Sequence, residues 1–305
     1  MRLRGRAKIA CRHLPGMAIP LLFMLLFTRL PSARASQAPE NSAAAPLQHS
    51  EVTRHTLQSG FMDFSVPYMV YLPRGYDGGE EYPVWYGLHG YSSSETMWLQ
   101  TAGIGGAADE LIQSGDIRPL IMVFPFVRYD PSIAIREDMK DGIRGGSQSE
   151  RFICEELVPY IDSCYHTVRS PEGRYIGGFS MGGLFALQAA FHHPDLFGKV
   201  SAYSPALVYS GFSGTQLEKW LYPGTGRTYA GDASAFIKGQ ALDTLQVYLA
   251  CGNKDDPFAA GTRSLCEALR AGGVSVEFCG YNGGHSLQDG KVKDYLRFIA
   301  GIGGP

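Results

Sequence analysis

Ser180 sits inside Gly177-Gly178-Phe179-Ser180-Met181-Gly182-Gly183, between a β-prone run from Arg174 and an apolar run reaching Phe191. Four glycines at the start of a helix cost chain entropy, so they answer a geometric need. Gly178 to Gly182 match G-x-S-x-G, a pattern with chemical meaning only where a strand turns sharply into a helix. Both flanking elements are predicted here. Such a turn strains the serine and projects its Oγ. The residues two before and two after must be small, because strand and helix cross closely there. The helix start also aims backbone N–H groups and the positive end of its dipole at the serine. The chemistry this allows is nucleophilic attack on an acyl carbon, with the oxyanion held by N–H donors.

A serine needs a base, and the base needs an orienting carboxylate. The strand–turn–helix serine resembles that of the α/β-hydrolases, in which the chain order is Ser, acid, His. Of the eight histidines, His192, His193 and His285 follow Ser180. His192 and His193 close the helix that starts at the serine, about 17 Å along its axis, and cannot reach it. A place at a helix C-terminus, where the dipole favours them, accounts for both. His285, in the glycine-rich "YNGGHSLQ" after a predicted strand, is left as the base. The acid should follow the preceding strand, and "VYLACGNKDDPF" supplies both Asp255 and Asp256. Counting from the glycine favours Asp255, while the Asp-Pro-Phe reading favours Asp256. Asp256 is the preferred acid and Asp255 the alternative, the other being a solvated or helix-capping residue. The oxyanion donors are expected to be the backbone N–H groups of Met181 and of Tyr91, the latter on "WYGLHGYSSSETMW" after an early strand. His89 precedes the acid and reads as a brace for that loop.

These residues require a scaffold that alternates strand and helix. Strands are predicted in "EVTRHTLQ", "FMDFSVPYMVYLP", "EYPVWYGLHG", "PLIMVFPF", "RYIGGF", "KVSAYSP", "LQVYLACG" and "VSVEFCG". Helices are predicted in "SQSERFICEELVPYIDSCY", "MGGLFALQAAFHH", "AGTRSLCEALRAGG" and "GKVKDYLRFIAG". The first two strands read as an antiparallel pair. The continuous apolar strands that follow, alternating with helices, argue an α/β fold with a mostly parallel sheet covered on both faces. Two segments break the pattern: 127–147, and a Gly-, Tyr- and Ser-rich stretch at 205–243 that reads as a lid-like insertion. Both are expected to line the pocket, where their aromatics could stack on sugars or aromatic acyl groups, or simply pack onto the core.

Composition sets outer bounds. At 305 residues and 45% hydrophobic content the chain can bury a large core. Residues 1–35 combine a basic start, the apolar "LPGMAIPLLFMLLF" and Ala33-x-Ala35. They read as a secretory signal peptide, cleaved after Ala35, with an apolar run too short to favour a membrane span. Residues 36–50 read as a linker and 51–305 as one catalytic domain. Beyond position 35, 20 lysines and arginines stand against 29 acids, a net of −9. So acidic a chain, without a basic run, excludes nucleic-acid and anionic-membrane partners. Cys154 and Cys164 lie about 15 Å apart along one predicted helix, too far to bridge. Cys251 and Cys279 end two predicted strands that could be neighbours. Buried free thiols are the preferred reading over a bridge between them. No cysteine–histidine cluster has metal spacing, and neither a metal nor an organic cofactor is expected.

The blocks "YGLHGYSSSETMW", "ERFICEELVPYID", "RYIGGFSMGGLFALQAAFHHPDLFGKVSAYSPAL", "CGNKDDPF" and "GGHSLQ" resemble the esterase D-like "putative esterase" branch of the α/β-hydrolases over about residues 60–300. Feruloyl, acetylxylan, tributyrin and enterochelin-type esterases, S-formylglutathione hydrolases and mycolyltransferases belong to that branch. The resemblance implies an α/β-hydrolase fold and a triad of Ser180, Asp256 (or Asp255) and His285, with Tyr91 and Met181 as oxyanion donors. The extra residue in "GNKDDPF" departs from the family pattern and leaves the acid open between the two aspartates. The expected activity is that of a secreted or periplasmic serine esterase acting on a small-molecule or polysaccharide-linked ester. The alternatives are acyl transfer to an alcohol, and an inactive binding protein on the same fold.

Overall fold

Period-two alternation of side chains between two faces sets the sheet. In β3 (Val84–Leu88) and β4 (Ile121–Pro125) every residue is buried. Successive side chains still divide between two cores, as strand geometry requires. Val84, Tyr86, Leu88, Ile121 and Val123 join one core, Trp85, Met122 and Phe124 the other. The computed structural model describes residues 46–77, 79–128, 148–207, 242, 244–256, 258–287 and 291–302. The expected signal peptide and most of the linker fall outside these residues. So do 129–147 and 208–241, which make up most of the two segments expected to line the pocket.

Among the described residues, eight strands form one sheet in the order β1-β2-β4-β3-β5-β6-β7-β8. The remaining strands are β1 (Glu51–Gln58), β2 (Ser65–Leu72), β5 (Arg174–Phe179), β6 (Lys199–Tyr203), β7 (Gln246–Gly252) and β8 (Ser275–Tyr281). β2 runs antiparallel to β1 and β4, and every other pair is parallel. Thus the opening antiparallel pair and the mostly parallel sheet follow the sequence expectation.

Helices cover both faces. α1 (Met97–Gln100), α2 (Ile104–Ser114) and, at the chain's end, α7 (Lys291–Ala300) pack on the Trp85 face. There Trp98, Phe124 and Tyr295 meet Trp85 edge-on at centroid distances of 5.2, 5.7 and 5.5 Å. The opposite face takes α3 (Gln148–Arg151), a π-helical turn (Phe152–Leu157), α4 (Val158–Cys164), α5 (Met181–His192) and α6 (Phe258–Ala271). The amphipathic helix expected around 147–165 is therefore continuous but carries a π turn in its middle. α1 and α2 lie in a stretch given no helix in the sequence reading. Gly103, Gly105 and Gly106 weaken the helical signal at the start of α2, although Gly115, in the left-handed region at φ 78°, closes it as a C-cap. Cys154, Cys164, Cys251, Cys266 and Cys279 are free thiols. All described residues belong to one compact unit. Among them, no helix is long and apolar enough to cross a membrane.

Candidate active site

Ser180 is the N-cap of α5, between β5 and the helix, with φ 55° and ψ −117°. Positive φ at a non-glycine residue costs about 1–3 kcal/mol and persists only where the surroundings over-determine it. Here its backbone is held on both sides. Ser180 N donates to Tyr203 O at 2.9 Å, and its carbonyl accepts from Leu184 N and Ala206 N at 3.1 and 3.0 Å. The flanking glycines are obligatory for space. A Cβ on Gly178 would collide with the backbone of Gly182 and Gly183, and one on Gly182 with the carbonyls of Leu88 and His89. Gly177 is as tightly enclosed by Ser201 and Tyr295, while Gly183 has slightly more room against Gly178 and Pro205.

Two loops bring the partners. Strand β7 ends at Gly252 and β8 at Tyr281, and the loops beyond them are joined by Asn253 N to Tyr281 O (2.8 Å) and Lys254 N to Gly283 O (2.9 Å). Gly252 is required at this join, since any Cβ would strike Gly283 O. The join sets Asp255 beside His285: Nδ1 lies 3.0 and 3.1 Å from the two carboxylate oxygens, and Nε2 lies 2.9 Å from Ser180 Oγ. A carboxylate at Nδ1 can only accept, so Nδ1 carries the proton and Nε2 accepts from the serine hydroxyl. The carboxylate beside the imidazole is thus that of Asp255, the alternative, and not that of the preferred Asp256. Asp255 is buried against the imidazole, whereas Asp256 is exposed in the turn leading to α6. The turn explains the choice: Asp255 N bonds Gly252 O at 3.2 Å and its carbonyl accepts from Ala259 N at 2.8 Å, so its side chain turns inward.

The imidazole lies between two rings, stacked on Phe179 at 4.8 Å and tilted against Phe258 at 4.9 Å. The side chain of His285 is 34% exposed, that of Asp255 0%. The ring therefore opens to solvent at one edge while Asp255 is sealed. Cys251 is a further neighbour of Asp255, with Sγ 3.6 Å from Oδ2. Burial and the nearby Asp255 charge push this thiol up to about 11, so it stays protonated and donates. Sequence reasoning found neither the ring pair nor the thiol. The motif pattern leaves position 179 free, and Cys251 reads as an ordinary buried thiol.

Met181 opens α5 directly after the serine. Tyr91 lies on the loop after β3, just beyond Leu88 and His89, whose carbonyls leave no room for a Cβ on Gly182, and it is 67% exposed. His89 braces that loop as expected. Nδ1 donates to Gly90 O at 2.8 Å and Nε2 accepts from Val127 N at 3.1 Å, while burial lowers the pKa and keeps the ring neutral. His192 and His193 stand at the far end of α5. There His192 Nδ1 and His193 Nε2 lie 2.7 and 3.2 Å from Glu150 Oε1. Among the described residues, no group of three or more metal-ligating side chains is arranged to hold an ion.

Residues 59–291 match the family model described as "Putative esterase". An endo-1,4-beta-xylanase/feruloyl esterase of Xylanibacter ruminicola is 29% identical over 68% of this chain, but the chain spans only 25% of that relative's length. An acetyl esterase of Caldicellulosiruptor saccharolyticus is 26% identical over 66% of this chain and 76% of its own. A solved ferulic acid esterase superposes with a TM-score of 0.66 at 23% identity, covering 83% of this chain and 98% of that one. This likeness places the chain among α/β-hydrolase-type esterase folds.

Proposed function

The chain belongs to the "Putative esterase" family, and on that premise we propose that it hydrolyses carboxylic esters with Ser180 as nucleophile, His285 as base and Asp255 as orienting acid. The observation that carries this reading is the unbroken line from Ser180 Oγ to His285 Nε2 (2.9 Å) and from Nδ1 to Asp255 (3.0 Å). Ser180 Oγ attacks the ester carbonyl while His285 takes its proton. The imidazolium formed is held by Asp255 and then protonates the departing alcohol. Water enters by the same base, and the acyl-enzyme is cleaved. Met181 N–H, at the positive end of α5, and Tyr91 N–H are the donors assigned to the oxyanion.

The names of the relatives favour feruloyl or acetyl esters as the substrate class, and Tyr91, an exposed aromatic on the loop beside the nucleophile, suits an acyl or sugar ring. Export is part of the same reading, supported by the basic, apolar and Ala-x-Ala pattern of residues 1–35. N-terminal sequencing of protein recovered outside the cytoplasm should begin near Ser36. A fluorophosphonate should label Ser180, and a panel of nitrophenyl, feruloyl and acetylated-sugar esters should show turnover. Absence of labelling would instead favour a binding protein on this fold, and ester products formed from an added alcohol would indicate acyl transfer.

A further inference from the structure

Four residues before His285, Tyr281 ends β8 with its hydroxyl in an unusual place. It lies 3.2 Å from Ser286 O and 3.5 Å from Gly284 O, the carbonyls on either side of the histidine, and 3.2 Å from Ser204 Oγ. Carbonyls only accept, so the tyrosine directs its single proton to them and the Ser204 hydroxyl donates to the tyrosine oxygen. Burial raises the Tyr281 pKa, which keeps that proton in place.

Ser204 is itself strained. It is fully buried at φ 45°, in the left-handed region that suits glycine, with its N–H bonded to Ala250 O at 2.6 Å. Nothing in the backbone calls for a serine there, but its hydroxyl is what meets Tyr281. One residue earlier, Tyr203 O accepts the N–H of Ser180, and the Tyr203 ring lies 5.6 Å from that of Tyr281. A continuous path therefore joins the backbone of Ser180, the end of β6, the Tyr281 hydroxyl and the carbonyls of the two residues that flank His285.

We propose that Ser204 and Tyr281 form a positioning pair that fixes the His285 loop relative to Ser180, with the strain at Ser204 retained for its hydroxyl. This rests on the reading of Ser180, His285 and Asp255 as a hydrolytic triad. The test uses Tyr281→Phe, Ser204→Gly and the double variant of the full chain, with 4-nitrophenyl acetate as substrate. Each single change should lower kcat about 10- to 100-fold, as a misplacement near 1 Å does, with KM within about twofold. Ser204→Gly relieves the strained φ, so its Tm should equal or exceed that of wild type while kcat falls, a combination a merely structural role would not give. The double variant should lose no more than the worse single one, since the two hydroxyls act as one unit. Single variants with kcat within twofold of wild type, or losses that multiply in the double, overturn the pair. If wild type fails to turn over any ester, the triad reading falls and the pair is judged by proton NMR. The low-field His285 Nδ1–H resonance should shift or broaden in both variants, and an unchanged resonance overturns it.

Discussion

The two ends of helix α5 carry the same kinds of side chain in opposite arrangements. At the N-terminus a histidine stands between a carboxylate and a hydroxyl, Asp255 on Nδ1 and Ser180 on Nε2. At the C-terminus two histidines converge on a single carboxylate oxygen, Glu150 Oε1. The helix dipole separates them further: its positive end faces the serine and favours a developing oxyanion, while its negative end favours imidazolium. Burial alone would raise the Glu150 pKa, yet hydrogen bonds from His192 and His193 outweigh it and hold the carboxyl low. The same bond raises His193. Residue type thus makes neither end a site. What decides is which pole of the helix the group occupies, and what faces the second ring nitrogen.

The comparison breaks first at the serine. Ser180→Ala or His285→Ala should lower kcat by about 10⁴- to 10⁶-fold, by analogy with other triad deletions. Glu150→Ala should leave the rate per folded molecule within about threefold. An esterase assay normalised to folded protein decides, and equal losses at both ends would mean that the two constellations share a role. Next, Asp255→Asn should cost about 10⁴ in kcat by favouring the wrong tautomer, while Asp256→Asn should stay within about twofold. The reverse outcome would reinstate Asp256 as the acid. Third, Glu150→Ala should destabilise the fold by about 1–3 kcal/mol, because it removes the buried oxygen that His192 and His193 both approach. A urea midpoint equal to that of wild type would show the cluster to be idle.

The smallest effect sharpens the contrast through pH. A lowered Glu150 contributes stability that is fully present above its unfolded value of 4.5 and lost as pH falls. A raised His193 contributes stability that is fully present below 6.5 and lost as pH rises. The Tm gap between wild type and Glu150→Gln should therefore be widest between those two values, and a gap independent of pH would exclude the charge interaction.

Much of this architecture was legible because strand and helix periods are local. β5 spans Arg174–Phe179, the residues of the "RYIGGF" strand expected from the sequence, and the single suitable histidine follows from chain order. What escaped was set by turns and by distance. Asp255 and Asp256 are the same residue type one position apart, and only the bonds of Asp255 to Gly252 and Ala259 decide which carboxylate turns inward. Glu150 looked like one more polar residue of an amphipathic helix, because its partners lie 42 and 43 positions away. The helix α2 was hidden by glycines that its packing against the Trp85 core overrides.

Strand β8 lies at the border of the sheet, and its C-terminal loop carries His285, 105 positions after Ser180. Contacts of such long separation are slow to form, because the intervening chain must be ordered first. A growing chain thus forms the helix that follows Ser180 before His285 can reach its start. Regain of fluorophosphonate reactivity after dilution from denaturant should accordingly trail the recovery of helical signal, and simultaneous recovery of both would mean that the last strand docks together with the helices.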